Sequence, residues 1–168
     1  MIEGHIDLTK FEPFHKNIEY EHMKWKDKQQ GFNFAVPDLE AAYNIDSLQV
    51  GVSRNVPDDY LELFKSIFNI SSFSYAVQKM FPGNILPYHS DKYGFFLSQH
   101  PGLKIENIIR YIVFLEDWQP GHISEIDGDS HTKWKRGDWI SWRGATPHLA
   151  ANLGFEDRYA LQITGIIK

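Results

Sequence analysis

Cysteine is absent from this chain of 168 residues. That excludes disulfide staples, a thiol nucleophile and any thiolate-held metal, so a bound metal would have to use His, Asp and Glu. A basic excess is missing too: 17 Lys and Arg stand against 22 Asp and Glu, a formal net charge of −5. Without a dense Lys/Arg block there is no electrostatic footprint for a nucleic acid or an anionic membrane, and neither is expected as a partner. No run of about 18 apolar residues is present to cross a bilayer. The opening MIEGHIDLTK lacks the basic-then-apolar order of a secretory signal, so the expectation is a soluble, cytoplasmic protein. Repeats, low-complexity tracts and Pro/Ser-rich linkers are also missing. The length suits one domain of roughly 100 to 200 residues over residues 1–168.

The character of the chain changes near residue 72. Residues 1–71 read as a helical and irregular support. Within them PDDYLELFKSIFN, residues 57–69, is the best helix, with Pro at a first-turn position, acids after it and apolar Leu61, Phe64, Ile67 and Phe68 on one face. A weaker helix is expected over residues 18–28 and a helical turn over 38–43. From residue 72 to 168, apolar runs rich in β-branched and aromatic residues alternate with turn signals: SFSYAVQKM then FPGN, IIRYIVFL then DWQPG, HISEI then DGD, DWISW then RGATP, and finally RYALQITGII. Short strands without intervening amphipathic helices indicate an antiparallel sandwich or barrel. The expected fold is therefore mainly β with N-terminal helices (α+β), built on a double-stranded β-helix, the jelly-roll or cupin-like barrel.

His89 and Asp91, in PYHSD, are two residues apart, so on a strand both side chains leave the same face and can meet one ion. Eight His and twelve Asp produce such a spacing by chance about 0.6 times. A second instance, His5-Ile6-Asp7, precedes any strand framework and is expected to be functionless. The stretch LAANLGFED, with its Asn/Gly centre, joins His148 to Arg158 and reads as a hairpin that sets the two opposite each other, within about 5 Å. Two His and one carboxylate leave open positions on an ion, as non-haem Fe(II) oxygenases require. A guanidinium nearby cannot ligate a metal, but its donor fork suits a carboxylate held beside one.

These residues resemble the Fe(II)/2-oxoglutarate-dependent oxygenase superfamily, with the look of a small prolyl-hydroxylase-like member. The pattern comprises His89-x-Asp91, a distal His148 that follows the Asp by 57 residues, and Arg158 ten residues later. MFPGNILPYHSD is similar to the family's Gly-containing turn before the iron motif. RYIVFLEDWQPG is similar to its next strand and turn, and KRGDWISWRGATPHLAAN to its Gly-Asp turn, core strand and distal His. The resemblance implies Fe(II) on the catalytic triad His89, Asp91 and His148, 2-oxoglutarate as co-substrate with its 5-carboxylate on Arg158, O2 as oxidant and ascorbate in support. The implied reaction hydroxylates an amino acid, a peptide side chain or a small metabolite and releases succinate and CO2. Met80 and Ala160 stand where many members carry a co-substrate Tyr and a hydroxyl residue, leaving Arg110, Gln78 and Gln162 as the other candidate contacts. Gly121-His122-Ile123 replaces the Gly-Gly-Glu common in prolyl hydroxylases, so that narrower activity is not expected. The alternative is a metal-binding cupin-like protein that is non-catalytic or does not use 2-oxoglutarate. Neither a partner protein nor an oligomeric state is indicated.

Other polar clusters have simpler structural readings. His122, Glu125, Asp127, Asp129 and His131 surround an Asp127-Gly128 turn signal, and Arg136-Gly137-Asp138 reads as the turn before a Trp139 strand. His15 and His22 are expected on the surface. Among the aromatics Tyr88, Tyr93, Trp118, Trp139 and Trp142, Tyr93 is the best candidate to meet substrate because it follows Asp91 by two residues.

Overall fold

The computed structural model describes residues 2–25, 32–35 and 38–167. Twelve strands appear among them: β1 (Ile2–His5), β2 (Glu21–Lys24), β3 (Phe32–Phe34), β4 (Gln49–Ser53), β5 (Ile70–Met80), β6 (Ile85–Asp91), β7 (Ile108–Phe114), β8 (His122–Ile126), β9 (Asp129–His131), β10 (Asp138–Arg143), β11 (His148–Asn152) and β12 (Arg158–Ile167). Three α-helices accompany them: α1 (Leu39–Ala42), α2 (Asp58–Ile67) and α3 (Gly94–Gln99). The larger sheet runs β1-β10-β7-β12-β5-β4-β2 and the smaller β3-β6-β11-β8-β9, with every pairing antiparallel.

The last eight strands pair in a nested way: β5 with β12, β6 with β11, β7 with β10 and β8 with β9. One long antiparallel ribbon folded over itself in this manner is a jelly roll, the double-stranded β-helix expected from the strand pattern. The outer face of the larger sheet carries Val77, Tyr111, Val113, Leu161 and Ile163, on which α2 lays Tyr60, Leu61 and Phe64, with Phe68 just past its end. Because side chains alternate along a strand, the intervening residues of β12 (Arg158, Ala160, Gln162 and Thr164) face the barrel interior. Pro57 precedes α2 and two acids occupy its first turn, as the sequence suggests.

Two local expectations are corrected. The segment expected as a helix over residues 18–28 contains β2, an edge strand paired with β4, and residues 26–28 lie outside the described set. His15 is not on the surface: it is 1% exposed, with Nε2 3.2 Å from Glu116 Oε1 and its ring against Tyr159. The supporting half also gives four strands, β1 and β2 at the rims of the larger sheet, β4 inside it and β3 on the smaller. Two turns agree with their sequence readings. Asp127 and Gly128 both have positive φ, 53° and 88°, between β8 and β9. Arg136 is fixed in its turn by donating to the Leu8 and Phe11 carbonyls and to the Tyr60 hydroxyl.

Candidate metal centre

His89 and Asp91 occupy the end of β6 with their side chains inward, while the alternating Tyr88 and Ser90 face outward and are less buried. His148 opens β11 and is the direct cross-strand partner of His89, so their rings lie 4.2 Å apart between centroids. The β6–β11 register slips by one residue just past this pair. Pro87, with no N–H for a ladder, sits at that irregularity, where a strand proline is tolerated. Its carbonyl accepts from His89 Nδ1 at 2.9 Å, and the Thr146 carbonyl accepts from His148 Nδ1 at 2.9 Å. A carbonyl can only accept, so each Nδ1 carries the proton and each neutral ring has its lone pair on Nε2. His89 Nε2 and His148 Nε2 each lie 3.8 Å from an Asp91 carboxylate oxygen. All three ligand atoms lie within 4.8 Å of one another, among three buried residues.

Electrostatics favour the ligating protonation states. Burial, with the neighbouring His89, pulls His148 down to about 3, and burial also lowers His89. Burial opposes the Asp91 charge, but Arg110, His148 and His89 outweigh it and hold the carboxyl below its ordinary value. The result is two neutral imidazoles and one carboxylate, a hard-to-borderline N2O set without thiolate that suits a divalent first-row metal. Arg110 NH2 stands 3.1 Å from Asp91 Oδ2 and its guanidinium lies 5.0 Å from the Tyr93 ring. Arg110 is therefore paired with Asp91 through this nitrogen. Tyr93 is 7% exposed, holds a left-handed backbone (φ 52°) before α3 and lines the cavity. Such a conformation is uncommon outside Gly and marks a locally constrained residue. Burial raises its phenol to about 12.

Arg158 corrects the hairpin expectation. His148 and Arg158 do not lie opposite each other on neighbouring strands: β11 pairs with β6 and β8 in the smaller sheet, and β12 with β5 and β7 in the larger. The Leu153–Asp157 link crosses between the sheets, and both residues line one interior pocket from facing walls. Arg158 is 3% exposed, and its guanidinium lies 5.5 Å from the Trp134 ring and 5.8 Å from that of Phe114. It donates to Ser124 Oγ at 2.5 Å and to Met80 Sδ at 3.4 Å. Neither Glu156 nor Asp157 pairs with it; Asp157 pairs with Lys79 instead, and no carboxylate among the described residues neutralises Arg158. Desolvation lowers it to about 10, which leaves it charged at neutral pH. Gln78 and Gln162 line both this pocket and the larger cavity around the triad, bound to each other at 2.8 Å.

Sequence reasoning did not single out Ser124, because it belongs to no motif and is brought to Arg158 only by barrel closure. Trp142, whose ring lies 4.4 Å from that of His148, lines the same pocket. His122 is an internal brace: it is 3% exposed, with Nε2 2.9 Å from the Glu156 carbonyl. His5 lies apart from the triad and pairs with Asp138.

Fold and site together define a class: a cupin-like jelly-roll barrel with a buried His–Asp–His group able to hold a metal ion. No protein-family model matches the chain, and no curated protein does. Solved structures give weak similarity. A predicted oxalate decarboxylase from Thermotoga maritima aligns at 14% identity over 90% of this chain and 96% of its own, with a TM-score of 0.48. KdgF from Halomonas sp. aligns at 11% identity over 71% and 80%, TM-score 0.44. An HTH_3 family transcriptional regulator from Vibrio cholerae aligns at 15% over 73% and 54%, TM-score 0.45. Folds of this kind host unrelated chemistries, so function is argued from the site.

Proposed function

We propose that the chain is an Fe(II)- and 2-oxoglutarate-dependent dioxygenase that hydroxylates a small metabolite, an amino acid or a peptide side chain. The observation that carries this reading is Arg158, a buried cation without a counter-charge among the described residues, in a pocket that shares Gln78, Leu86, His148 and Gln162 with the His89–Asp91–His148 cavity. Burying a charge is costly unless a partner meets it. A co-substrate carboxylate entering beside the metal would be that partner, and it would gain a planar, charge-assisted contact.

Bound iron would supply the activation of O2 and of the 2-oxo acid. The chain's own residues bind, orient and exclude. His89, Asp91 and His148 would hold the ion on one side, with both imidazoles locked in the ligating tautomer. Arg110 keeps Asp91 ionised. Arg158 would fix the distal carboxylate, and Ser124, already accepting from Arg158, keeps its own O–H to donate to the same group. Trp142, Leu86 and Ile126 wall the inner pocket and keep water away from the charged contact.

Given Fe(II), ascorbate, O2 and 2-oxoglutarate, the protein is expected to form succinate slowly alone and faster with its substrate. His89→Ala and His148→Ala should each abolish stoichiometric Mn(II) binding as well as turnover. Mass spectrometry finding no succinate above a metal-free control, with iron verified in the site, would reject the dioxygenase reading. It would leave the non-catalytic metal-binding barrel.

A further inference from the structure

The cavity around the triad is lined by two unlike sets of residues. The larger sheet places Arg110, Thr164 and Ser74 in one row across β7, β12 and β5, since Thr164 is the register partner of both others. Arg54, just past β4, lines the same cavity and donates NH1 to the Tyr75 carbonyl at 2.7 Å, leaving its other donors available. The same cavity is also lined by the apolar side chains of Met23, Trp25, Leu86, Phe95 and Phe96. Among the described lining residues Asp91 is the sole acid, and it belongs to the triad. Among the described residues Arg54 has no carboxylate partner, and the hydroxyls of Ser74 and Thr164 make no hydrogen bond. Thr164 is 5% exposed, so its idle hydroxyl is sheltered from bulk water. The cavity measures about 280 Å³, close to the lower end of small-molecule sites.

A polar row extended by Arg54, in a cavity that is otherwise lined largely by apolar side chains, is complementary to a small amphipathic anion. We propose that the primary substrate is a small carboxylic acid with an apolar body, its carboxylate taken by Arg54 with Ser74 and Thr164. The guanidinium offers a planar fork with one edge already anchored by Tyr75, which matches the two oxygens of a carboxylate. The aromatic side chains then turn the apolar body towards the triad. A free ammonium group would meet the like charge of Arg54 and is disfavoured. This inference rests on the oxygenase reading, because it assigns the Arg158 pocket to a different carboxylate, that of the co-substrate.

The test titrates 4-methylpentanoate and 3-phenylpropanoate, each against its primary amide, into protein loaded with Mn(II) and N-oxalylglycine, which fills the Arg158 pocket. Calorimetry should show each acid binding at least ten-fold tighter than its amide. Arg54→Met should bring that ratio close to one, and Thr164→Val should lower acid affinity several-fold. Arg54 is exposed and Thr164→Val is nearly isosteric, so both variants should fold. Equal binding of acid and amide, no binding of either acid, or an acid preference that survives Arg54→Met would overturn the proposal. If Mn(II) and N-oxalylglycine fail to raise the melting temperature, the oxygenase reading fails on its own. The same acid and amide titrations on untreated protein then decide the carboxylate preference separately.

Discussion

A carbonyl two residues upstream of each histidine settles which nitrogen carries the proton, and burial settles that the ring stays neutral. The linkage to pH follows. His148 binds its proton near 6.5 when unfolded and near 3 when folded. Protons therefore favour the unfolded chain, and stability present above pH 6.5 is lost as pH falls towards 3. The lowered Asp91 adds a loss in the same direction below 3.8. Urea midpoints of the metal-free protein should thus drop between pH 7 and pH 4, and His148→Phe should flatten that dependence. Arg158 supports a second expectation. Its charge is desolvated and no described carboxylate compensates it, so Arg158→Met should leave the metal-free fold equally stable or strengthen it by about 1–3 kcal/mol, while weakening 2-oxoglutarate binding at least ten-fold. A variant that lost stability and kept its 2-oxoglutarate affinity would show that Arg158 is structural. At this scale the sequence was informative where spacing carries geometry. His89 and Asp91 share a face because strands alternate, whereas the burial of His15 depends on Glu116, a hundred residues away, and left no local signal.

The element that sets Arg158 relative to His148 is the link from β11 to β12. Asn152, fully buried, donates Nδ2 to the Met80 and Glu156 carbonyls, while its Oδ1 accepts from the Gly154 N–H. Gly121, at φ 92°, approaches Gly154 so closely that a Cβ would strike the Gly154 backbone. This clamp fixes where the chain leaves the smaller sheet for the larger. Asn152→Ala would leave buried carbonyls without donors and should cost about 2–4 kcal/mol of stability, measurable by urea unfolding. It should also loosen 2-oxoglutarate more than Mn(II), because Arg158 lies beyond the clamp and all three triad residues lie before it. The hairpin reading of this link failed for a physical reason. Asn and Gly announce a reversal, but a two-residue period says nothing about which sheet receives the next strand. The same limit explains β2, an edge strand with mostly exposed side chains that lacks a clear alternation. Strands such as β5, β7 and β12 were legible because alternation along them separates the α2-packed face from the interior.

At the scale of the whole molecule, the nested pairing has a kinetic consequence. His89 and His148 become neighbours only when β6 meets β11, and Arg158 arrives only when β12 closes against β5, which starts nearly ninety residues earlier. Such non-local topologies fold on the millisecond-to-second scale, because long loops must close before their contacts form. The unfolded chain then holds no prearranged site, so a metal would gain its affinity in the last stage of assembly and stabilise the native state alone. In refolding from urea with Mn(II) present, metal capture should appear in the same slow phase as the recovery of tryptophan fluorescence. Capture in an early burst would mean that the ligands gather before the barrel closes. The nested ribbon would thus act as a proofreading step on the chemistry, withholding an oxygen-reactive metal from any chain that has not finished folding around it.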